Sequence, residues 1–402
     1  MSHSLQRSVP TAHEEMARPV GWIELFYDLV MVAAVIVFST KVSKDLTIDT
    51  TVWFILVFAM LWWMWLSTTL VLNVRRVEDA VVDVIVAVEM FAITLMTIIV
   101  ADYDRTRRIF VSPTYALIVA CVAALNEWLR RRGPASTRRY AARRRNIYLV
   151  SAVFWVLGGV APSPWHGIAW IAAGVIMVLP LTARGLNGGV QVPNLDTEHL
   201  SERFALLTML VIGESFVKVA LTASSTPVHE INLIVLPLEV VVIFALWLAY
   251  FLDVAPDGMP GGLVARRAWI LSHLVLAIGL VGLAIGLGRF ITLQDLSQLT
   301  DLDAYLLAVP VAIIFLSIAT MVAAVRGRPG APIVVTYLAG SVVALGAALV
   351  ISDVRFLTVN QTTLLLCIIT AATAVIARLL FRRLGPVATS HAAKPDLGSA
   401  TP

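Results

Sequence analysis

The chain has 402 residues, of which 59% are hydrophobic and 14% charged, with 30 Lys and Arg against 26 Asp and Glu. Soluble domains carry about 25% charged residues, so this composition, with a mean hydropathy of +0.87, excludes a water-soluble globule and points to the lipid bilayer. Continuous apolar runs of about 20 residues match about 30 Å of hydrocarbon at 1.5 Å per helical residue, whereas a β-barrel needs period-two alternation; the expected class is all-α, a polytopic helical membrane protein.

Residues 1–21 are polar and lack an apolar h-region, so they read as a cytoplasmic N-terminal segment rather than a cleaved signal peptide. Twelve spans follow, at about 22 to 40, 52 to 72, 81 to 101, 109 to 129, 147 to 161, 165 to 183, 201 to 223, 231 to 252, 268 to 288, 304 to 325, 332 to 351 and 361 to 381. The fifth is short and is separated from the sixth by the Pro-rich "GGVAPSPWHG", so the two can also form a tight hairpin or a re-entrant pair. The tail over 385–402 is small and polar, the composition of a disordered cytoplasmic extension.

With both termini inside, the cytoplasmic segments hold 20 Lys and Arg and the opposite side 7, the asymmetry expected of this orientation. Much of it lies in "RRRGPASTRRYAARRR", residues 130–145. That run reads as a topology anchor beside anionic headgroups; without aromatic interleaving it does not point to nucleic acid. Cys121 and Cys367 both fall inside spans, so neither a disulfide framework nor a CxxC metal motif is available. No motif for a cofactor appears, and none is expected.

An internal repeat organises the chain. Glu24, Phe26 and Met31 align with Glu202, Phe204 and Met209 at an offset of 178, Trp65 with Trp247 at 182, and Glu89 falls near His273 at 184. Six spans per repeat give both halves the same orientation, a parallel duplication as in several transporter folds. The expected organisation is a first six-span repeat over 22–183, a linker over 184–200 and a second repeat over 201–384.

Ionisable groups within lipid cost about 2.5 to 3.5 kcal/mol on insertion scales and are functional candidates by default. At 1.5 Å per residue, Glu24 lies about 3 Å into the first span and Asp28 about 9 Å, on one face. Glu89 lies about 13 Å into the third span and Glu214 about 20 Å into the seventh, with Lys218 one turn on in the order that favours an ion pair. Glu239 and His273 complete the deep groups, and no second histidine stands at metal-binding spacing. Asp102, Asp104, Asp253, Asp257, Asp301 and Asp303 lie at span ends and read as solvated. Trp53, Trp62, Trp63 and Trp65 bracket the second span, some as interfacial anchors, and Gly282 and Gly286 have the GxxxG spacing of close helix packing.

Together "ELFYDLVMVAAV", "ERFALLTMLVIGES", "WWMWL", "ALWLAYFLD" and "RRAWILSHLVLAIGLVGLAIG" resemble the bacterial low temperature requirement protein A family, from about residue 20 to about 384. The resemblance implies a multi-span bacterial inner-membrane protein linked by name to growth in the cold, and supplies no reaction or substrate. It carries over to Glu24, Asp28, Glu202, Arg203, Glu214 and His273. Two classes of function fit. One is a permease for an ion, protons or a small solute, its path lined by Glu24, Asp28, Glu89, Glu202, Glu214, Lys218 and His273. The alternative is an intramembrane enzyme acting on lipid or a hydrophobic substrate, with His273 and an acid as general base.

Overall fold

The computed structural model describes residues 20–75, 79–101, 108–182, 195–295, 299–354 and 357–385. The segment before residue 20, the tail beyond Gly385, and Asp102 and Asp104 lie outside the described residues. Those residues form helices and turns and contain no strand. In lipid only internally hydrogen-bonded segments are tolerated, and a helix satisfies each of its backbone groups locally.

Twelve α-helices fall among the described residues: α1 (Trp22–Lys44), α2 (Ile48–Val74), α3 (Ala80–Ala101), α4 (Arg108–Arg132), α5 (Arg138–Val160), α6 (Trp165–Thr182), α7 (Thr197–Ser225), α8 (Val235–Asp253), α9 (Leu263–Phe290), α10 (Asp301–Arg326), α11 (Ala331–Val354) and α12 (Val359–Leu384). Ten are long and apolar enough to cross a membrane. The other two are α5, whose first turns carry arginines, and α6, with a shorter apolar stretch at Trp165–Val178.

Local chemistry sets several helix starts. Thr47, Thr300 and Thr358 accept from the backbone N–H three residues on, and Thr50, Asp303 and Gln361 reach back in reciprocal capping boxes. Gly385, at φ 69°, ends α12 in a conformation that favours glycine. The arginine-rich stretch is not one loop: Arg130–Arg132 close α4, and Arg138–Arg145 open α5 nine residues before the span expected at 147. Arginine is a good helix former, so polarity there marks the end of the apolar core and not the end of the helix.

Neighbours follow the same succession at both ends of the chain. α1 packs on α3, α3 on α4, α4 on α5 and α5 on α6, while α7 packs on α9, α9 on α10, α10 on α11 and α11 on α12. The two groups meet where α1 and α2 contact α7 and α9, and α8 packs along α12. Close approach of α9 and α10 depends on small residues. A Cβ at Gly286 would stand 2.6 Å from the Leu306 carbonyl oxygen, and one at Gly282 3.2 Å from Pro310 Cγ.

Three expectations are corrected. Trp62, Trp63 and Trp65 are buried inside the bundle, so of the four tryptophans of α2 only the half-buried Trp53, near the helix start, keeps the position of an interfacial anchor. Asp253, Asp257 and Asp303 are not simply solvated. Asp253 accepts from the Tyr337 hydroxyl at 2.7 Å with Arg378 at 3.7 Å, Asp257 pairs with Arg326, and Asp303 pairs with Arg289 while capping α10. Helix ends bring arginines from adjacent elements to these carboxylates. Finally, α7 starts at Thr197, so the last residues of the expected linker are helical.

Candidate functional site

The first turn of α1 carries Glu24, whose Oε2 accepts the Gly21 backbone N–H at 3.1 Å and so sits at the positive end of its own helix. Asp28 follows one turn deeper on the same face. The matching turn of α7 is anchored by Asp196, which caps the His199 N–H at 3.0 Å. Asn73, at the end of α2, grips Asp196 through both backbone groups, donating to its carbonyl at 2.8 Å and accepting its N–H at 3.0 Å. This clamp aims His199 and Arg203 at α1.

Four ionisable side chains consequently meet in the interior. His199 Nε2 lies 3.0 Å from Glu24 Oε2, and Arg203 Nη1 lies 3.4 Å from the same oxygen. Arg203 Nη2 donates to Asp28 Oδ1 at 2.6 Å, an oxygen that also accepts the Trp65 indole N–H at 2.6 Å. Glu24, Asp28 and Arg203 have no solvent exposure. Around them Phe204 packs edge-on to Trp65, Trp269 and His273. The cluster thus sets two carboxyl groups against one arginine, with a histidine that can take up or release a proton.

A second cluster lies farther along the same two helices. The Ser39 hydroxyl donates to Glu214 Oε1 at 2.6 Å, and Lys218 Nζ donates to Ser43 at 2.7 Å and to Thr40 at 3.3 Å. Glu24 and His199, Asp28 and Arg203, Ser39 and Glu214, and Ser43 and Lys218 are all separated by 175 residues. A constant difference means that α1 and α7 run parallel, side by side, with matched polar positions. Asp28 and Ser39 are separated by about 16 Å of helix at 1.5 Å per residue. The buried residues between the clusters are Met31, Val32, Ala34, Val35 and Phe38 on α1, and Phe204, Leu207, Val211 and Ile212 on α7. Thr208 is the polar exception, its hydroxyl turned back to the Phe204 carbonyl at 2.8 Å.

Of the residues expected from the sequence, the structure brings Glu24 and Asp28 into the first cluster and Glu214 and Lys218 into the second. The Glu214–Lys218 ion pair is not formed: both side chains turn instead to the α1 hydroxyls one helix away. Glu202 is exposed and joins neither cluster; its neighbour Arg203 occupies the inward position. Glu89 lies apart, accepting from the Tyr27 hydroxyl at 2.8 Å and the Thr68 hydroxyl at 2.9 Å. His273 Nε2 meets the Tyr250 hydroxyl at 2.9 Å and Nδ1 the Trp269 carbonyl at 2.8 Å, with no carboxylate at hydrogen-bond distance among the described residues. Glu239 on α8 is buried, and neither carboxyl oxygen has a hydrogen-bond partner there.

Sequence reasoning missed Ser39, Thr40 and Ser43, whose hydroxyls are unremarkable inside a span, and it missed His199, which falls in the stretch read as linker. Its spacing from Glu24, repeated by Arg203 from Asp28, is the signal that finds it. Among the described residues no group of three or more His, Cys, Asp or Glu side chains could hold a metal ion.

A bundle of lipid-length helices enclosing a fully buried acid, arginine and histidine network defines a polytopic α-helical membrane protein with a charged interior. Residues 19–377 match the family described as Bacterial low temperature requirement A protein (LtrA), and the chain belongs to that family. It is also similar to a Rhizobium meliloti (strain 1021) protein named "Uncharacterized protein RA0937", at 26% identity over 275 residues, covering 65% of this chain and 67% of the relative.

Proposed function

We propose that this protein is a permease of the bacterial inner membrane, moving an ion or small solute coupled to protons along the contact between α1 and α7. The carrying observation is the parallel polar seam, in which two buried charged clusters sit on matched positions at either end of an apolar band. Charges within lipid are retained where they face a path or partner, and a seam between two helix groups is where transporters place their sites. Here twelve helices cross, six in each of two parallel repeats. Both termini and the arginine-rich segment lie in the cytoplasm.

The repeated succession of neighbours supports this organisation, as does one recurring pair. Thr68 of α2 meets Glu89 of α3, and Tyr250 of α8 meets His273 of α9. Those positions correspond at the offsets of 182 and 184 that align Trp65 with Trp247 and Glu89 with His273. The apolar band closes the route between the clusters in this conformation, and rocking one six-helix group against the other opens each end in turn. The composition of the first cluster makes a proton its natural cargo or coupling ion, with His199 as the group that distinguishes it from a simple salt bridge. For the enzyme alternative, His273 is met by a hydroxyl and a backbone carbonyl and not by the carboxylate that reading pairs it with.

Liposomes holding the purified protein and a pH-sensitive dye test the reading. An imposed proton or cation gradient should dissipate faster than in empty vesicles, and His199→Gln should slow it while the protein remains folded. Dissipation equal to that of empty vesicles under every gradient tried would remove the permease reading.

A further inference from the structure

Four arginines are buried among the described residues: Arg75, Arg144, Arg203 and Arg326. Three have a carboxylate: Asp83 for Arg75 at 2.8 Å, Asp28 for Arg203 at 2.6 Å, and Asp257 for Arg326. Arg144 has none. It is 5% exposed, its Nη2 donates to the Tyr148 hydroxyl, and its guanidinium carbon stands 4.7 Å from the centre of that ring. Tyr148 in turn donates to Ser67 of α2 at 2.6 Å. Nη1 of Arg144 is buried with no hydrogen-bond partner.

A guanidinium cannot shed its charge as a lysine can, and a buried cation without a counter-charge is costly. The surrounding turns add more positive charge, and the acids of the region are engaged by other groups, Glu127 by Arg145 and Glu89 by Tyr27 and Thr68. Arg138, Arg139 and Arg143 stand on the preceding turns of α5 without a carboxylate within 4 Å among the described residues. Arg138 and Arg139 lie in the first turn of α5, at the positive end of the helix, with Arg143 and Arg144 in the turn that follows. Nearby, Glu127 shows what the local arginines do when an acid is present, taking Arg130, Arg131 and Arg145 together.

We propose that Arg144 is the centre of an oxyanion site between α5 and α2, separate from the α1–α7 seam. Its ligand is a phosphate-class anion held by the free edge of the guanidinium, with Arg143 and the start of α5 supplying further attraction. Arginine presents paired donors that match phosphate oxygens, which favours this class over a spherical halide. The same chemistry is available from the headgroup of an anionic phospholipid and from a free phosphate-bearing solute. The site lies at the end of the bundle that carries the N-termini of α1 and α7, where α2 ends beside Asp196.

The test measures thermal unfolding of the purified full chain in nanodiscs of phosphatidylcholine or phosphatidylglycerol, with inorganic phosphate titrated against chloride at equal ionic strength. If the free anion is the ligand, phosphate raises the midpoint saturably in both lipids. If a headgroup is the ligand, phosphatidylglycerol raises the midpoint and added phosphate then contributes nothing further. In either case Arg144→Gln abolishes the shift and Arg139→Gln, at an exposed position, preserves it. Arg144→Lys keeps the charge and loses the fork, raising the half-saturating phosphate about tenfold, and it carries the test if the Gln variant does not fold. Equal shifts in wild type and the Arg144 variants, or no shift in wild type with either probe, would overturn the assignment.

Discussion

Glu24 and Asp28 on α1 and Glu239 on α8 are equally inaccessible to water, yet the protein surrounds them in opposite ways. The α1 pair is met by Arg203, His199, the Trp65 indole and a backbone N–H, all between 2.6 and 3.4 Å away. Glu239 meets no donor at all among the described residues. Burial alone therefore does not mark a site. What distinguishes the α1–α7 seam is that every charge is answered from the facing helix, so removing one member strands another. At Glu239 nothing is stranded by removal.

The largest consequence falls on Arg203. Arg203→Met leaves two buried carboxylates facing each other, and breaking a buried pair from one side costs about 3 to 5 kcal/mol. Yield and the unfolding midpoint in detergent should both drop sharply. Removing Asp28 as well, in Asp28→Leu with Arg203→Met, should recover part of the loss. A double variant no more stable than Arg203→Met alone would show that the ion pair is not what couples α1 to α7.

Asp28→Asn is milder, because Arg203 keeps Glu24 at 3.4 Å and Thr69 at 3.5 Å. A loss of about 1 to 3 kcal/mol is expected, the cost of a weakened buried polar contact, together with loss of gradient dissipation in the liposome assay. A variant as stable as wild type with full flux would remove Asp28 from both the structural and the transport account.

Glu239 should respond with the opposite sign. Glu239→Leu replaces an unsatisfied polar group with an apolar one and should raise stability by about 1 to 3 kcal/mol, read as a higher unfolding midpoint. A loss of similar size would mean that Glu239 is answered by a partner after all, and the contrast with the seam would fail.

A smaller effect is expected at Asp79, outside the membrane spans. The Trp128 indole, the Val81 N–H and Arg132 hold its carboxyl below the usual range, the indole bond most strongly. A lowered folded-state pKa contributes stability above the unfolded value that is lost as pH falls through the folded one. Asp79→Asn should therefore be slightly less stable than wild type at neutral pH, with the difference closing in acid. A difference that persists unchanged to low pH would point to packing around Trp128 instead.

The glycines of α9 and the carboxylates of α1 could be read before any contact was known. GxxxG spacing has one common physical use, and an acid inside an apolar run is conspicuous whatever surrounds it. The partners of those acids were harder to read. A search for identical residues pairs Glu24 with Glu202 at 178, whereas the contacting positions are 175 apart. Facing helices bring complementary side chains together, here about one turn away from the identical ones. Glu202 therefore looked like a site residue and is exposed, while His199 looked like linker and closes the cluster. The Glu214–Lys218 pair misled for a related reason: spacing along one helix says that two side chains can meet, and the hydroxyls of α1 offered both a better partner.

By itself the sequence determined that the chain lives in lipid, that it does so as helices, and where most of those helices run. Hydropathy and backbone hydrogen bonding are local properties, satisfied or violated within about 20 residues. Only the tertiary structure decided that α1 lies parallel to α7, that Arg203 and His199 answer Glu24 and Asp28, and that Arg144 is left without an acid. Those facts depend on which of several equally apolar helix faces meet. Lipid does not discriminate among such faces; packing and a few buried polar contacts make the choice.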